Sequence, residues 1–228
     1  MYEGAITPSG KVGIVRIPKK ASEYSLKEII RHGLPQRGLA DEVNRWRWRN
    51  LPHLWRGVRR VLLARLFNLP TYYGSIYLTL KRGNGEIVNF GLASMRVVTT
   101  AGVGFIVDAF QNSVELENMK YHGFGTGATA EAVGDTALVT EMTTQYATDN
   151  TRPTGTTTEG ASANIFRTVA TFSPDTGGTI AITEHGIFDQ AANSGGTLLD
   201  RSVFAAINVV AGSDSIQATY DLTVPSGS

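Results

Sequence analysis

Two apolar segments joined by a small polar turn dominate residues 178–210, near the C-terminal end of the chain. In the first segment, Ile180 and Ile182 alternate with smaller or polar residues, and the second segment runs through 203–210. The connection at 193–196 is Asn-Ser-Gly-Gly, which is typical of a turn because glycine reaches backbone angles that other residues avoid. The pattern predicts two paired strands, and their apolar character predicts a central position in a sheet rather than an edge.

Alternating segments elsewhere predict further strands at residues 74–81, 86–92, 119–127, 163–172 and 215–224. The Gly-Asn-Gly at 83–85 is a hairpin turn signal between the first two of these strands. A short helix is expected at 101–110, with Thr99 or Thr100 near its N-cap. Because strands outnumber helices and no strand–helix–strand alternation occurs, the expected fold is mainly β, an antiparallel β-sandwich, Ig-like or jelly-roll-like.

The first 70 residues differ from this pattern and are expected to form a basic, partly helical N-terminal arm, followed by a β-sandwich domain at 71–228. A short strand is predicted at 11–17, and a short helix at 25–32, where Ser and Glu have the capping-box spacing. Pro52 and Gly57 are expected to interrupt helical structure. A second helix is then predicted at 58–69, with one apolar face formed by Val58, Leu62, Leu66 and Leu69.

Alternating arginines and tryptophans precede this predicted helix, and more arginines lie within it. We take these side chains as the candidate partner interface: Arg45, Trp46, Arg47, Trp48, Arg49, Trp55, Arg59, Arg60 and Arg65.

Three interpretations of this segment stay open. One is a helix packed on its own domain, with arginine stems covering apolar surface. The second is a docking arm that uses Trp and Arg as interface anchors. The third is contact with a membrane interface or with nucleic acid. We do not favour the third, because no nucleic-acid-binding fold surrounds the segment and the rest of the chain is acidic.

The net charge of +1 conceals a strong asymmetry along the chain. Residues 1–70 contain 14 Lys or Arg and 5 Asp or Glu, a net charge of +9. Residues 115–228 contain 4 and 13, a net charge of −9. Such asymmetry indicates a basic arm that binds acidic surfaces, either on other copies of the chain, on capsid protein or on nucleic acid.

Several classes of protein are excluded or disfavoured by composition. The chain has no cysteine, so disulfides and thiolate metal sites are excluded. No stretch approaches the roughly 20 apolar residues of a membrane span. The N-terminal residues lack the charged-then-apolar order of a signal peptide, so we expect a protein made and used without secretion.

No arrangement of residues predicts catalysis, a cofactor or a metal site. His32, His53, His122 and His185 lack metal-ligand spacing. Glu184 and His185 fall on one predicted strand, so their side chains should point to opposite faces and His185 is expected to be structural. The glycine loop at 123–127 matches no phosphate-binding motif and is expected to be a tight packing turn. We therefore predict that the protein is not an enzyme.

Three segments carry a resemblance to a known family. They read YHGFGTGATAEAVGDTALVTE at 121–141, ITEHGIFD at 182–189 and GGTLLDRSVFAAINV at 195–209. Together with residues 97–110 and the last predicted strand, they resemble the C-terminal domain of tailed-bacteriophage virion proteins described as tail-fibre, collar or head-decoration components. The resemblance implies a virion location after assembly in the host cytoplasm, and capsid, neck or tail subunits as partners.

The leading functional hypothesis is therefore a homo-oligomeric structural component of a tailed-phage virion, at the head surface or the neck and collar. Its N-terminal arm would bind neighbouring subunits. The alternative hypothesis is a receptor- or carbohydrate-binding tail adhesin, suggested by loops rich in Thr, Gly and Asn. A third hypothesis, contact with packaged DNA through residues 45–65, requires binding that weakens steeply with salt.

Overall fold

A computed structural model describes residues 3–6, 12–15, 39–67, 69, 71–147 and 149–225. Contacts divide the chain into two compact units, Met1–Glu42 and Val43–Ser228. In the first unit, strand β1 (Glu3–Ile6) pairs antiparallel with β2 (Val12–Val15), which lies within the strand predicted at 11–17. The short helix predicted at 25–32 falls outside the described residues.

The second unit contains eight described strands in two antiparallel sheets, which confirms the predicted mainly β fold. One sheet has the order β4-β3-β10-β7-β6, and the other has the order β5-β8-β9. The strands are β3 (Tyr73–Lys81), β4 (Ile87–Val97), β5 (Tyr121–Gly125), β6 (Thr156–Glu159), β7 (Ile165–Phe172), β8 (Thr179–Phe188), β9 (Leu198–Val210) and β10 (Ser215–Thr223).

The inward faces of the two sheets share one hydrophobic core, as expected for packed layers. Leu78 of β3 and Ile216 of β10 are fully buried in it with Ile182 of β8. Phe124 of β5 and Phe172 of β7 stack across the layers, with ring centroids 4.9 Å apart. Each strand therefore buries one set of alternating side chains against the opposite sheet.

Helix α1 (Leu39–Leu66) is one continuous helix, so the predicted interruption at Pro52 and Gly57 is wrong. Proline removes one hydrogen-bond donor from a helix, and packing of the surrounding turns keeps this helix intact. Gly57 is buried, and a Cβ there would collide with the main-chain carbonyl of Met95 in β4. The glycine thus allows the helix to approach the strand closely instead of ending it.

Four of the buried positions on α1 lie on one side of the helix: Trp46, Asn50, Gly57 and Val61. They place α1 from Val43 onward within the second compact unit. The division between the two compact units lies near residue 43. The arm and sandwich domain predicted at 1–70 and 71–228 stay a prediction.

Strands β8 and β9 pair as predicted, with Ile182 opposite Ile207. β8 is central in its sheet, but β9 is an edge strand, so the expected central position is wrong for β9. The indole of Trp46 donates to Ala205 O over 2.7 Å, and Asn50 Oδ1 accepts from Ala205 N over 2.9 Å. The helix covers the apolar edge that a neighbouring strand would otherwise have covered.

Helix α2 (Thr100–Phe110) follows β4 and matches the predicted helix closely. Thr99 is its N-cap, and the Thr99 hydroxyl accepts from Gly102 N over 2.9 Å. Phe105 is buried in a second apolar cluster with Leu199 and Tyr220, where α2 covers one end of the sandwich. A 3-10 turn (Leu116–Asn118) follows.

The segment at 143–160 is rich in Thr, Gly and Asp, a composition typical of a surface loop. Its described residues nevertheless include strand β6 and two buried side chains, Tyr146 and Arg152. Tyr146 packs against Phe172 in the core. Two large side chains of this mainly polar segment therefore contribute to the interior of the protein.

Candidate functional site

Helix α1 has two faces with opposite environments. Trp46 is only 1% exposed, whereas Trp48 and Trp55 are 76% and 58% exposed. The three tryptophans therefore have different roles. Trp46 supports the interpretation of a helix packed on its own domain, and it is unavailable to a partner because its ring lies against Phe90 with centroids 4.8 Å apart.

The solvent-facing side of α1 is an apolar surface, which we call the outer face. Its members recur at helical spacing and are all at least half exposed: Trp48, Leu51, Trp55, Leu62 and Leu66. Leu62 and Leu66 belong to the apolar face predicted from the sequence, together with Leu69, which is also exposed beyond the helix. That face exists, but it points to solvent instead of packing on the domain.

Exposed arginines border the outer face. The remaining members of the predicted interface are all exposed: Arg45, Arg47, Arg49, Arg59, Arg60 and Arg65. Arg65 lies over the Tyr73 ring, 5.9 Å from its centroid, and Arg47 Nε approaches Phe90 O at 3.5 Å. The result is a basic margin around exposed indole and leucine side chains, a composition common at protein interfaces.

A second exposed apolar surface, which sequence reasoning missed, lies on α2 and its neighbours. We call it the α2 face, and its members are Val103, Val107, Phe110, Leu116 and Val133. Phe110 is the most exposed of them, at 79%. Val133 lies beside the start of α2, where its carbonyl oxygen accepts a hydrogen bond from Thr100 N over 2.7 Å. The sequence contained a signal for this face, because Val103, Val107 and Phe110 follow one another at helical spacings of four and three residues.

Acidic side chains accompany the α2 face. Asp108 lies on the helix, and Glu115 and Glu117 lie on or beside the turn that follows; all three are exposed. The two exposed apolar surfaces therefore differ in the sign of the charge that surrounds them.

Buried polar residues occupy the segments that carry the family resemblance. Glu184, on β8, is fully buried and pairs with Arg201 Nη2 at 2.8 Å. Its Oε1 also accepts from Gly127 N over 2.9 Å and from Thr140 N over 2.7 Å. These contacts hold the segment after β5 onto the outward side of the three-stranded sheet.

Two further arginines fix loops in the same way. Arg152 forms a two-point ion pair with Glu141, at 2.6 and 2.9 Å, and its guanidinium lies 3.5 Å from the Phe188 ring centroid. Arg96 Nε lies 2.9 Å from Glu131 Oε1, outside hydrogen-bond geometry, while Arg96 Nη2 donates to His53 O over 3.0 Å.

His122 and His185 form a buried pair on the inward face of their sheet. His122 Nδ1 lies 2.9 Å from His185 Nε2, and His122 Nε2 lies 3.1 Å from Thr168 Oγ1. Burial lowers the pKa of His122 to about 3, and burial with the nearby His122 lowers the pKa of His185 well below its ordinary value. Glu184 and His185 point to opposite faces, as predicted.

Asp200 is a buried carboxyl on β9. Tyr220 donates to Asp200 Oδ2 over 3.3 Å, and Ser202 lies 3.5 Å from the other carboxyl oxygen. Burial raises the pKa of Asp200 to about 7, while the charge of Arg96 acts in the opposite direction. The carboxyl therefore titrates near neutral pH.

The glycines at 123–127 are closely packed, as predicted, but Gly123 and Gly125 lie within strand β5 rather than in a turn, because they pair with β8. A Cβ on Gly123, Gly125 or Gly127 would come within 3 Å of a side chain or carbonyl of the segments packed on it. Within the described ranges, no group of three His, Asp or Glu side chains is arranged to hold a metal ion. No helix in the described part of the chain has the length and apolar content needed to cross a membrane.

The buried Arg, Glu and His side chains described above are thus engaged inside the protein, whereas the outer face and the α2 face are exposed apolar surfaces of the described part of the chain. No protein-family model matches the chain, and no curated protein matches it in sequence.

Proposed function

We propose that this protein is a structural component of a tailed-phage virion that binds neighbouring subunits through the outer face of α1. The observation that carries the proposal is the row of exposed Trp48, Trp55 and Leu66 side chains on a helix whose opposite side is locked into the sandwich. Clustered exposed apolar side chains bordered by polar residues are typical of an interface.

A binding role agrees with where the polar residues lie. The buried ion pairs of Arg152 and Arg201 connect loops to sheets and leave their charged groups satisfied within the chain. A rigid sandwich of this kind presents a surface in one fixed orientation, as subunits of a symmetric assembly require. In this proposal the protein acts by binding and carries out no catalysis.

The basic margin indicates the character of the partner. Arg49, Arg59 and Arg60 are exposed beside apolar side chains, so the matching surface should combine apolar contacts with carboxylates. Acidic capsid, neck or collar proteins meet this requirement. We place the protein at the head surface or the neck and collar on the strength of the family resemblance.

The proposal is tested by co-sedimentation of the purified full chain with heads and tails of tailed phage. Trp48→Ala combined with Trp55→Ala should reduce binding at least tenfold, because both indoles are exposed anchors. Ile87→Ala is the matched control, since Ile87 is also exposed but lies on β4. If the unaltered chain binds neither particle, or if Ile87→Ala is as harmful as the tryptophan variant, the proposal is wrong.

A carbohydrate- or receptor-binding adhesin remains the second candidate. The four residues of β6, which include Thr156, Thr157 and Thr158, are all exposed on an edge of the five-stranded sheet. Thr156 and Thr158 share one face of β6, and exposed hydroxyls can hydrogen-bond to sugars. Glycan binding that is lost in Thr156→Ala with Thr158→Ala, but survives Trp48→Ala, would select this candidate over the first.

A further inference from the structure

We propose that the partner of the outer face is the α2 face of a second copy of this chain. The inference rests on the proposed assembly role of α1 and names the surface that receives it. Trp48, Trp55 and Leu62 of one copy would cover Val103, Val107 and Phe110 of the next.

The two faces are complementary in charge as well as in apolar character. Arg59 and Arg60 are exposed beside the outer face, and Glu115 and Glu117 are exposed beside the α2 face. Contact between the faces would bring opposite charges together around an apolar centre, which is the usual organisation of a specific interface.

Pairing of two outer faces is less favourable because it brings arginine margins together. The chain's own residues 16–38 are also poorly suited to cover the outer face, since they contain six Lys or Arg and two Glu. An anionic membrane would attract α1 but repel the region at 115–228, whose net charge is −9. A second copy supplies the required carboxylates without such repulsion.

The proposed contact joins two different surfaces of identical subunits. It is therefore a heterologous contact, which closes into a ring if the rotation between subunits allows and otherwise extends as a filament. A ring is the arrangement that a collar or a symmetric head vertex needs. Each subunit would contribute α1 to one neighbour and α2 to the other.

Charge exchange provides the main test, measured as native mass by light scattering on the full chain. Arg59→Glu with Arg60→Glu should weaken association at least tenfold, and Glu115→Arg with Glu117→Arg should do the same. Equal mixing of these two variants should restore association, because each then meets the opposite charge. Failure of the mixture to associate, with both variants folded by circular dichroism, would refute the pairing.

Engineered cysteines identify the contacting surfaces directly, because the chain has no cysteine of its own. Leu62→Cys and Val107→Cys lie at exposed positions on the two faces. Mixed under mild oxidation, the two variants should form a 62–107 disulfide dimer in preference to either self-linked dimer. A dominant 62–62 product would instead establish pairing between two outer faces and overturn the inference.

The outcomes separate this inference from the proposed function. A chain that stays monomeric at high concentration but binds phage heads or tails refutes self-association and leaves the virion role intact. A chain that forms the 62–107 contact but binds no phage particle supports the inference and removes the virion role. Binding of a monomer to phosphatidylglycerol vesicles, lost in Trp48→Ala, would overturn the inference in favour of a membrane.

Discussion

The indole nitrogen of Trp46 donates to the carbonyl oxygen of Ala205 over 2.7 Å, so a helix side chain occupies the place of a missing strand at the edge of β9. Asn50 bonds to the same residue's N–H and also donates to Ala93 O in β4 over 2.7 Å. Two side chains of one helix thereby join the edge strands of both sheets. This arrangement fixes which side of α1 is buried and leaves the other side to water.

Trp46 and Trp48 should respond differently to truncation. Trp46→Ala removes a buried ring and its hydrogen bond and should cost about 3–5 kcal/mol of the free energy of unfolding. Trp48→Ala should change that free energy by less than about 0.5 kcal/mol, because the ring is exposed. Urea denaturation monitored by circular dichroism measures both values, and equal losses would contradict the two-faced helix.

Gly57 should not tolerate a side chain. Gly57→Ala places a methyl group against the Met95 carbonyl and should destabilise the fold by about 1–3 kcal/mol. Gly104→Ala is a matched control, since Gly104 lies in α2 with open space around its Cβ position. The control should stabilise the protein by about 0.5–1 kcal/mol, as helical alanine does. Thermal unfolding of the two variants should therefore shift in opposite directions.

The buried ion pair of Glu184 and Arg201 should be far more sensitive than a half-exposed pair. Arg201→Met leaves the Glu184 carboxylate buried without its cation and should cost about 3–5 kcal/mol. Arg167→Met breaks the shorter but more exposed pair with Asp221 and should cost about 1 kcal/mol or less. Similar losses for the two variants, measured by urea denaturation, would show that burial does not decide the strength of these contacts.

Asp200 should make the stability depend on pH near neutrality. Its folded-state pKa of about 7 lies above its ordinary value of 3.8, so the folded state holds a proton that the unfolded state releases between these values. The stability that Asp200 contributes to the folded state is fully present below the ordinary pKa of its carboxyl and is lost as pH rises towards 7. Asp200→Asn should remove that loss, so in urea denaturation its advantage over the unaltered chain should grow from about pH 4 to about pH 7 and stay level above it.

The two buried histidines act in the opposite direction. Their lowered pKa values favour the folded state above pH 6.5 and oppose it as pH falls below that value. A pH series of the unfolding free energy for Asp200→Asn, which retains both histidines, should therefore decline steadily on acidification below pH 6.5. A flat profile would contradict their neutral, buried state.

Gly196 should reject a β-branched residue. It has a φ of +83° in the β8–β9 connection, where L-residues with side chains are strained. Gly196→Val should cost about 1 kcal/mol or more. Gly134→Val is the comparison, because no positive φ or close contact restricts that loop glycine. Equal melting temperatures for the two variants would contradict the turn conformation.

The alternation of apolar and polar residues was sufficient to predict most of the strands, because it shows which side of a strand faces the core. The β8–β9 pair and the β3–β4 hairpin were predicted on that basis, and the N-cap of α2 was predicted at Thr99 or Thr100 from residue type. These features depend on residues close together in the chain, which is why the sequence alone contained them.

The tertiary structure decided which side of α1 is buried. The helix has apolar residues on two sides, and contacts with residues far away in the chain determine which side packs on the sandwich. Ala205, which receives the Trp46 bond, lies 159 positions away along the chain. Likewise, Glu184 can be buried because loop residues donate hydrogen bonds to its carboxylate. Gly57 cannot accept a side chain because a main-chain carbonyl of β4 lies against it. The sequence by itself determined the strands and the amphipathic segments, whereas long-range packing determined which polar groups were buried and which apolar face stayed exposed.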